Sequence, residues 1–172
     1  QNISLDINKL NAKSTIHLDS NKAVLAVLPG SRTNELKAHT DIFLKTAIEL
    51  KKLNPDLQII TANTNNAKIE FIQECANRNN LKIKTYKDAT AVLKAADFAL
   101  LASGTVALEA MLCKTPMVIG YKISQLTYAI VKSFNMMLLP YYSLPNVLYG
   151  DFLVEEVLQN KMTVKNLTTA LI

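Results

Sequence analysis

Five short apolar runs alternate with longer amphipathic stretches along this chain, and that alternation limits the fold more than any other feature of the sequence. Residues 23–28 (AVLAVL), 57–61, 83–85, 97–101 and 117–120 read as strands, several without the polar alternation of a half-exposed strand. Between them, apolar residues recur at helical spacing: Leu36, Phe43, Leu44, Ala47, Ile48 and Leu50 set a helix from residue 33 or 34 to Leu53, which Asn54-Pro55-Asp56 stops. Further helices are expected over 67–77, over 88–95 with Asp88 as cap, over 105–113 and over 125–135. A Pro-punctuated loop is expected at 140–150, then two short helices near 152–160 and 163–171. Strands joined by helices are βαβ units, and buried runs of this kind belong to a parallel sheet covered on both faces. The fold class is therefore a doubly wound α/β domain. Residues 1–22 are a polar lead-in with no strong pattern, and residues 23–172 carry the domain.

With 172 residues, 49% of them hydrophobic and 19% charged, the chain can bury one proper core, which excludes disorder, collagen and coiled coil. No apolar run reaches the ~20 residues of a bilayer span. Cys75 and Cys113 stand singly without metal-ligand spacing, so neither a disulfide framework nor zinc is expected, and a reducing, cytosolic compartment fits. The chain opens Gln1-Asn2-Ile3, with no Met and no signal-like pattern, and is expected to be a piece of a longer protein. The net charge of +5 rests on 17 Lys and only two Arg, Arg32 and Arg78, a skew that suits an AT-rich genome. Scattered solvated lysines explain that balance, and so does attraction to a nucleotide, a lipid headgroup or a nucleic acid.

In an open α/β sheet, ligands bind beyond the carboxyl ends of the strands, near the point where strand order reverses. Two post-strand loops carry suitable chemistry. The first is Leu28-Pro29-Gly30-Ser31-Arg32, followed by Glu35. Its glycine permits close backbone approach, Ser31 offers a hydroxyl and a helix cap, and Arg32 offers a planar guanidinium for bidentate phosphate contact at a helix N-terminus. The second is Ala102-Ser103-Gly104-Thr105, which delivers a small, hydroxylated turn onto another helix start. Glu109 lies one helical turn beyond Thr105, placed to accept from a ribose diol. Either loop alone is equally a capped turn; together they suggest a nucleoside diphosphate. Neither GxGxxG nor GxxxxGK[ST] is present.

The same residues carry a more specific resemblance. Leu28-Pro29-Gly30-Ser31-Arg32 with Glu35, Leu100–Thr105 running into Leu108-Glu109-Ala110-Met111-Leu112, Pro116–Lys122, and Ser143-Leu144-Pro145-Asn146-Val147-Leu148 with Gly150 resemble, in order and spacing over about residues 23–160, the lipid-A-disaccharide synthase family. That resemblance implies a glycosyltransferase of the GT-B type, with two Rossmann-like domains and the active site between them. It implies transfer, with inversion, of 2,3-diacylglucosamine from UDP to 2,3-diacylglucosamine 1-phosphate in the lipopolysaccharide pathway of Gram-negative bacteria. This chain then corresponds to the C-terminal, donor-binding half, inactive by itself. The resemblance implies that Arg32 and the Ser103–Thr105 helix start stabilise the departing diphosphate without a metal and that Glu109 holds the ribose. It also implies a general base in the N-terminal half, outside this sequence. Implied partners are UDP-2,3-diacylglucosamine, the lipid acceptor, the N-terminal half, the inner membrane surface on the cytoplasmic side and, as an open option, a second copy; nucleic acid is not among them.

The resemblance also draws in Asn146, after its proline-fixed turn, and Tyr121 with Lys122 as residues lining the uracil or sugar side; a plain Asn turn and a packing Tyr explain them as well. Gln125 is a weaker candidate of the same kind. His17 and His39 match no motif and suit surface or helix-face roles, while Met111, Met136 and Met137 suit packing. Two departures stand out: Asp151 where the family pattern has Arg, and Glu155 near a position where it has Pro. Within the fold, another UDP-sugar transferase or a UDP-N-acetylglucosamine epimerase is the rival reading, and outside enzymes a nucleotide-binding module without chemistry.

Overall fold

A computed structural model describes residues 8–122 and 141–172, so the helix expected at 125–135, with Gln125, and the methionines Met136 and Met137 lie outside the described residues. Helix α1 (Lys9–Thr15) leads into β1 (Val24–Leu28), α2 (Thr33–Leu53), β2 (Gln58–Ala62), α3 (Asn66–Arg78), β3 (Lys84–Tyr86), α4 (Ala89–Ala95), β4 (Phe98–Ala102), α5 (Val106–Leu112) and β5 (Met117–Tyr121). After residue 140 come α6 (Leu144–Tyr149), β6 (Glu155–Leu158), a 3-10 turn (Gln159–Lys161) and α7 (Val164–Leu171). The six strands form one sheet in the order β3-β2-β1-β4-β5-β6, and every pairing is parallel.

Period-two alternation sends each strand's residues to two separate cores. On one face Leu25, Val27 and Leu100 meet Phe43, Leu44, Ala47 and Leu50 of α2 and Leu167 of α7. On the other, Val24, Ala26, Ala99, Leu101 and Ile119 meet Val92 and Leu93 of α4 and Ala107 and Ala110 of α5. Because both faces are covered, β1 is buried at every position, which is why its sequence reads as a continuous apolar run. Asp88 caps α4 as expected, accepting from the Thr90 and Ala91 amides at 2.8 and 3.2 Å. Among the described residues no helix is long and apolar enough to cross a membrane.

Three segments differ from the sequence reading. The lead-in contains α1, which packs against α4 and sends the buried Lys13 to Asp97 at 2.8 Å and to the Lys22 carbonyl at 2.9 Å. A lysine whose stem is buried while its ammonium finds oxygen partners leaves no apolar stripe to read. Pro145, taken as a mark of a loop, instead sits in the first turn of α6, where a missing N–H costs nothing, and Gly150 ends that helix at φ 81°. Residues 155–158 are an edge strand rather than a helix, registered on β5 from Val118↔Glu155 to Tyr121↔Leu158. Only Val157 of that strand is buried, so the sheet's pairing, rather than hydrophobic patterning, determines its conformation.

Candidate ligand cleft at the reversal of strand order

Strand order reverses between β1 and β4, which lie side by side with Leu28 level with Leu101. The chain leaves β1 toward α2 on one face and β4 toward α5 on the other, so their exit loops part and leave a crevice. A cleft of about 410 Å³ opens there, and both loops singled out in the sequence line it: Gly30, Ser31, Arg32 and Glu35 from one side, Ser103, Gly104, Thr105 and Glu109 from the other.

The first loop is built around Glu35. Its Oε2 accepts from the Ser31 and Arg32 amides at 3.0 and 3.1 Å, and its Oε1 from the Arg32 guanidinium at 2.7 Å. Burial works against the charge, yet the hydrogen bonds from Arg32 and Ser31 outweigh it and hold the Glu35 carboxyl below the usual glutamate range. The helix cap is therefore Arg32, with Glu35 reaching back to the loop, and not Ser31 as the sequence suggested. A carboxylate already occupies the place where donors for an anion converge, and the Lys68 ammonium at the start of α3 ties down the Ser31 carbonyl. Beyond its backbone the Arg32 side chain is 81% exposed and lines the cleft while paired with Glu35.

Gly30 lets this loop close. Its φ is +119°, and a Cβ built there lies 2.6 Å from both Cβ and Oε2 of Glu35. Gly30→Ala is expected to cost about 1–3 kcal/mol, from left-handed backbone strain and displacement of the Glu35 carboxylate. Urea unfolding measures it, and a loss under about 0.5 kcal/mol speaks against that steric assignment.

Across the cleft, Thr105 starts α5 without a side-chain cap, and a Cβ on Gly104 meets nothing within 4 Å, leaving the approach to the turn open. Glu109 Oε2 accepts from the Thr90 hydroxyl at 3.2 Å, which holds the carboxylate at the cleft wall. Sequence reasoning missed Asn63 and Thr64 after β2, Lys87 after β3, and Leu144 of α6, all of which line the cleft. The first three follow strands and could have been found by inspecting every post-strand loop; Leu144 stands in the Ser143–Leu148 motif, where Asn146 is the residue the sequence singles out instead. Among the described residues no three His, Cys, Asp or Glu side chains gather into a group suited to a metal ion.

Other candidates fall elsewhere. Asn146 is fully buried and does not line the cleft; its Oδ1 accepts from the Leu153 and Val154 amides, and its Nδ2 donates to the Val154 carbonyl and Glu156. With four hydrogen bonds inside the chain, its side chain has no capacity left for a ligand. Tyr121, half-buried, is stacked at a tilt on His39 with ring centroids 5.3 Å apart, outside the cleft lining; burial, and then Glu35 nearby, push its hydroxyl's pKa up. His17 is exposed, as expected, whereas His39 is completely buried. Met111, expected to pack, is 37% exposed and lies outside the buried core.

Comparison with known proteins gives the family and the fold. A family model described as lipid-A-disaccharide synthetase matches residues 1–172. The chain is 40% identical over 168 residues to the lipid-A-disaccharide synthase of Haemophilus ducreyi, covering 96% of this chain and 43% of that protein. It is 42% identical over 169 residues to the enzyme of the same name from Vibrio cholerae, covering 96% and 44%. The chain thus spans less than half the length of these relatives. In fold it is similar to Escherichia coli ADP-heptose lipopolysaccharide heptosyltransferase II, with a TM-score of 0.61 at 12% identity over 95% of this chain and 49% of that one. The C-terminal CMP-Kdo binding domain of WaaA from Acinetobacter baumannii gives 0.61 at 11% identity, covering 95% and 86%. The parallel sheet is that of a Rossmann-like domain of the GT-B type.

Proposed function

The chain belongs to the lipid-A-disaccharide synthetase family, and from that membership we propose that its cleft binds the UDP moiety of UDP-2,3-diacylglucosamine, as the donor half of an inverting glycosyltransferase of lipid A synthesis. The observation that carries the reading is the meeting of two separate anion-suited loops, Gly30–Arg32 and Ser103–Thr105, in one cleft at the reversal of strand order.

In this reading the diphosphate lies between the loops. Arg32 swings from Glu35 to the phosphates, and the amides at the start of α5 face them from the other side. As the glycosidic bond to the diphosphate breaks, negative charge grows on the leaving oxygen, and these donors stabilise it where it forms. Glu109 accepts from the ribose diol, Asn63 and Thr64 close the far wall, and Lys87 adds positive charge. A base outside these 172 residues takes the acceptor hydroxyl's proton as that oxygen bonds to the anomeric carbon from the face opposite the departing UDP, so the single displacement inverts the configuration. The rest of the protein supplies that base, the acceptor pocket and attachment to the cytoplasmic face of the inner membrane.

The ribose assignment has its own test. Calorimetry should show UDP binding more tightly than 2′-deoxy-UDP, and Glu109→Ala should weaken UDP by about tenfold, as for loss of a hydrogen bond to a charged group, while nearly abolishing the preference. A Glu109→Ala protein that keeps the full preference for UDP removes Glu109 from the ribose.

A further inference from the structure

His39 is a completely buried ring that the cleft chemistry does not use, and it bonds at both nitrogens. Nδ1 lies 3.1 Å from the Pro29 carbonyl, and Nε2 accepts from the Lys122 amide at 3.0 Å. We propose that His39 is a positioning residue for the ligand cleft, pinning the Pro29–Arg32 loop after β1 to the chain that leaves β5. What the pinned loop does rests on the UDP reading; the pin itself rests on these contacts alone.

Sheet pairing cannot do this work, because β4 separates β1 from β5. The carbonyl of Pro29 can only accept and the amide of Lys122 can only donate, so the ring must be neutral, with its proton on Nδ1 and its lone pair on Nε2. Phe43 stacks at 5.7 Å and Tyr121 at 5.3 Å, fixing the plane in which both bonds form. Pro29 directly precedes Gly30, which lines the cleft and whose turn leads to Arg32, so the ring's position reaches the cleft wall through the adjacent proline.

A second proton on the ring would point an N–H at the Lys122 N–H and break the pin. Burial first of all opposes that charge and lowers the ring's pKa, although the Pro29 carbonyl and the nearby Glu35 carboxylate, on the same helix, favour it. Tyr121 from β5 is neutral in this range, and the Lys122 and Arg32 side chains are exposed. Since the unfolded ring titrates near about pH 6.5 and the folded ring lower, the neutral pin is intact above that range and is lost as pH falls through the folded value.

Nuclear magnetic resonance on the ligand-free protein should show the Nδ1–H tautomer at pH 7.5. On acidification the Lys122, Ser31 and Arg32 amides should shift together, with the ring's own midpoint. UDP titrations then compare wild type with His39→Leu, which keeps apolar volume and removes both bonds; the variant should bind UDP about three- to tenfold more weakly at pH 7.5. Lowering the pH through the ring's own midpoint, as the resonance titration reads it, should weaken the wild type further than the variant, and that difference cancels titration of the nucleotide's own phosphate. Amides that ignore the ring's titration, or a folded His39→Leu protein with wild-type affinity and pH profile, overturn the pin. Should wild-type protein fail to bind UDP at all, the proposed function falls, and the ligand-free amide shifts alone decide the pin without needing a variant that folds.

Discussion

Asn146→Ala should destabilise the protein by about 2–4 kcal/mol, more than any other polar truncation considered, even though Asn146 sits in a segment that reads as a loop. Its carboxamide links α6 to the start of β6: Oδ1 takes two amides at 2.8 Å each, and Nδ2 gives hydrogen bonds of 2.9 and 2.8 Å to the Val154 carbonyl and Glu156. Glu156 in turn accepts from the Ser143 amide at 2.8 Å and the Tyr142 amide at 3.0 Å. Alanine would leave two amides and a carbonyl of the Asn146 shell without their partner, and this unsatisfied polarity, rather than lost packing, dominates the cost. Asn146→Asp keeps the accepting oxygen but sets a carboxylate against Glu156, so it should also destabilise. Urea unfolding reads both, and a loss below about 1 kcal/mol for Asn146→Ala shows that water replaces the shell.

Arg32→Ala should leave the unfolding curve almost unmoved and weaken UDP binding by roughly 10- to 100-fold, the range expected when a charge-assisted hydrogen bond to phosphate is lost. The two effects separate because the Arg32 side chain is 81% exposed, and the 11%-exposed Glu35 keeps the Ser31 and Arg32 amides as donors when the guanidinium is removed. Arg32→Lys should recover only part of the affinity, since an ammonium keeps the charge but not the planar fork. Glu35 gives the comparison its mechanism: the carboxylate that now holds the guanidinium must yield it to the diphosphate. Calorimetric titration of both variants beside wild type reads the change, and an Arg32→Ala protein with undiminished affinity places the phosphates elsewhere.

The doubly wound sheet and both cleft loops were legible because each depends on local signals. Val24–Leu28 is apolar throughout since both faces are covered, and glycine marks the turn where Glu35 folds back. What escaped the sequence depends on contacts between distant residues. Helix α1 is held by Lys13 reaching Asp97, 84 residues away, and β6 follows the register of β5 rather than its own pattern. His39 looks like any helix residue until Pro29 and Lys122 are placed at its two nitrogens. The motif containing Asn146 was visible, but whether an asparagine faces a ligand or binds its own backbone is a matter of side-chain direction, which spacing does not encode.

Whether one diphosphate is held by both loops is read residue by residue when isotopically labelled protein is titrated with UDP and its amide resonances are followed. The largest shifts should fall on Ser31, Arg32, Gly104 and Thr105, saturating together at one equivalent, with smaller shifts at Asn63 and Lys87. Shifts confined to one loop, or binding that leaves both loops unperturbed, would contradict a donor site between β1 and β4.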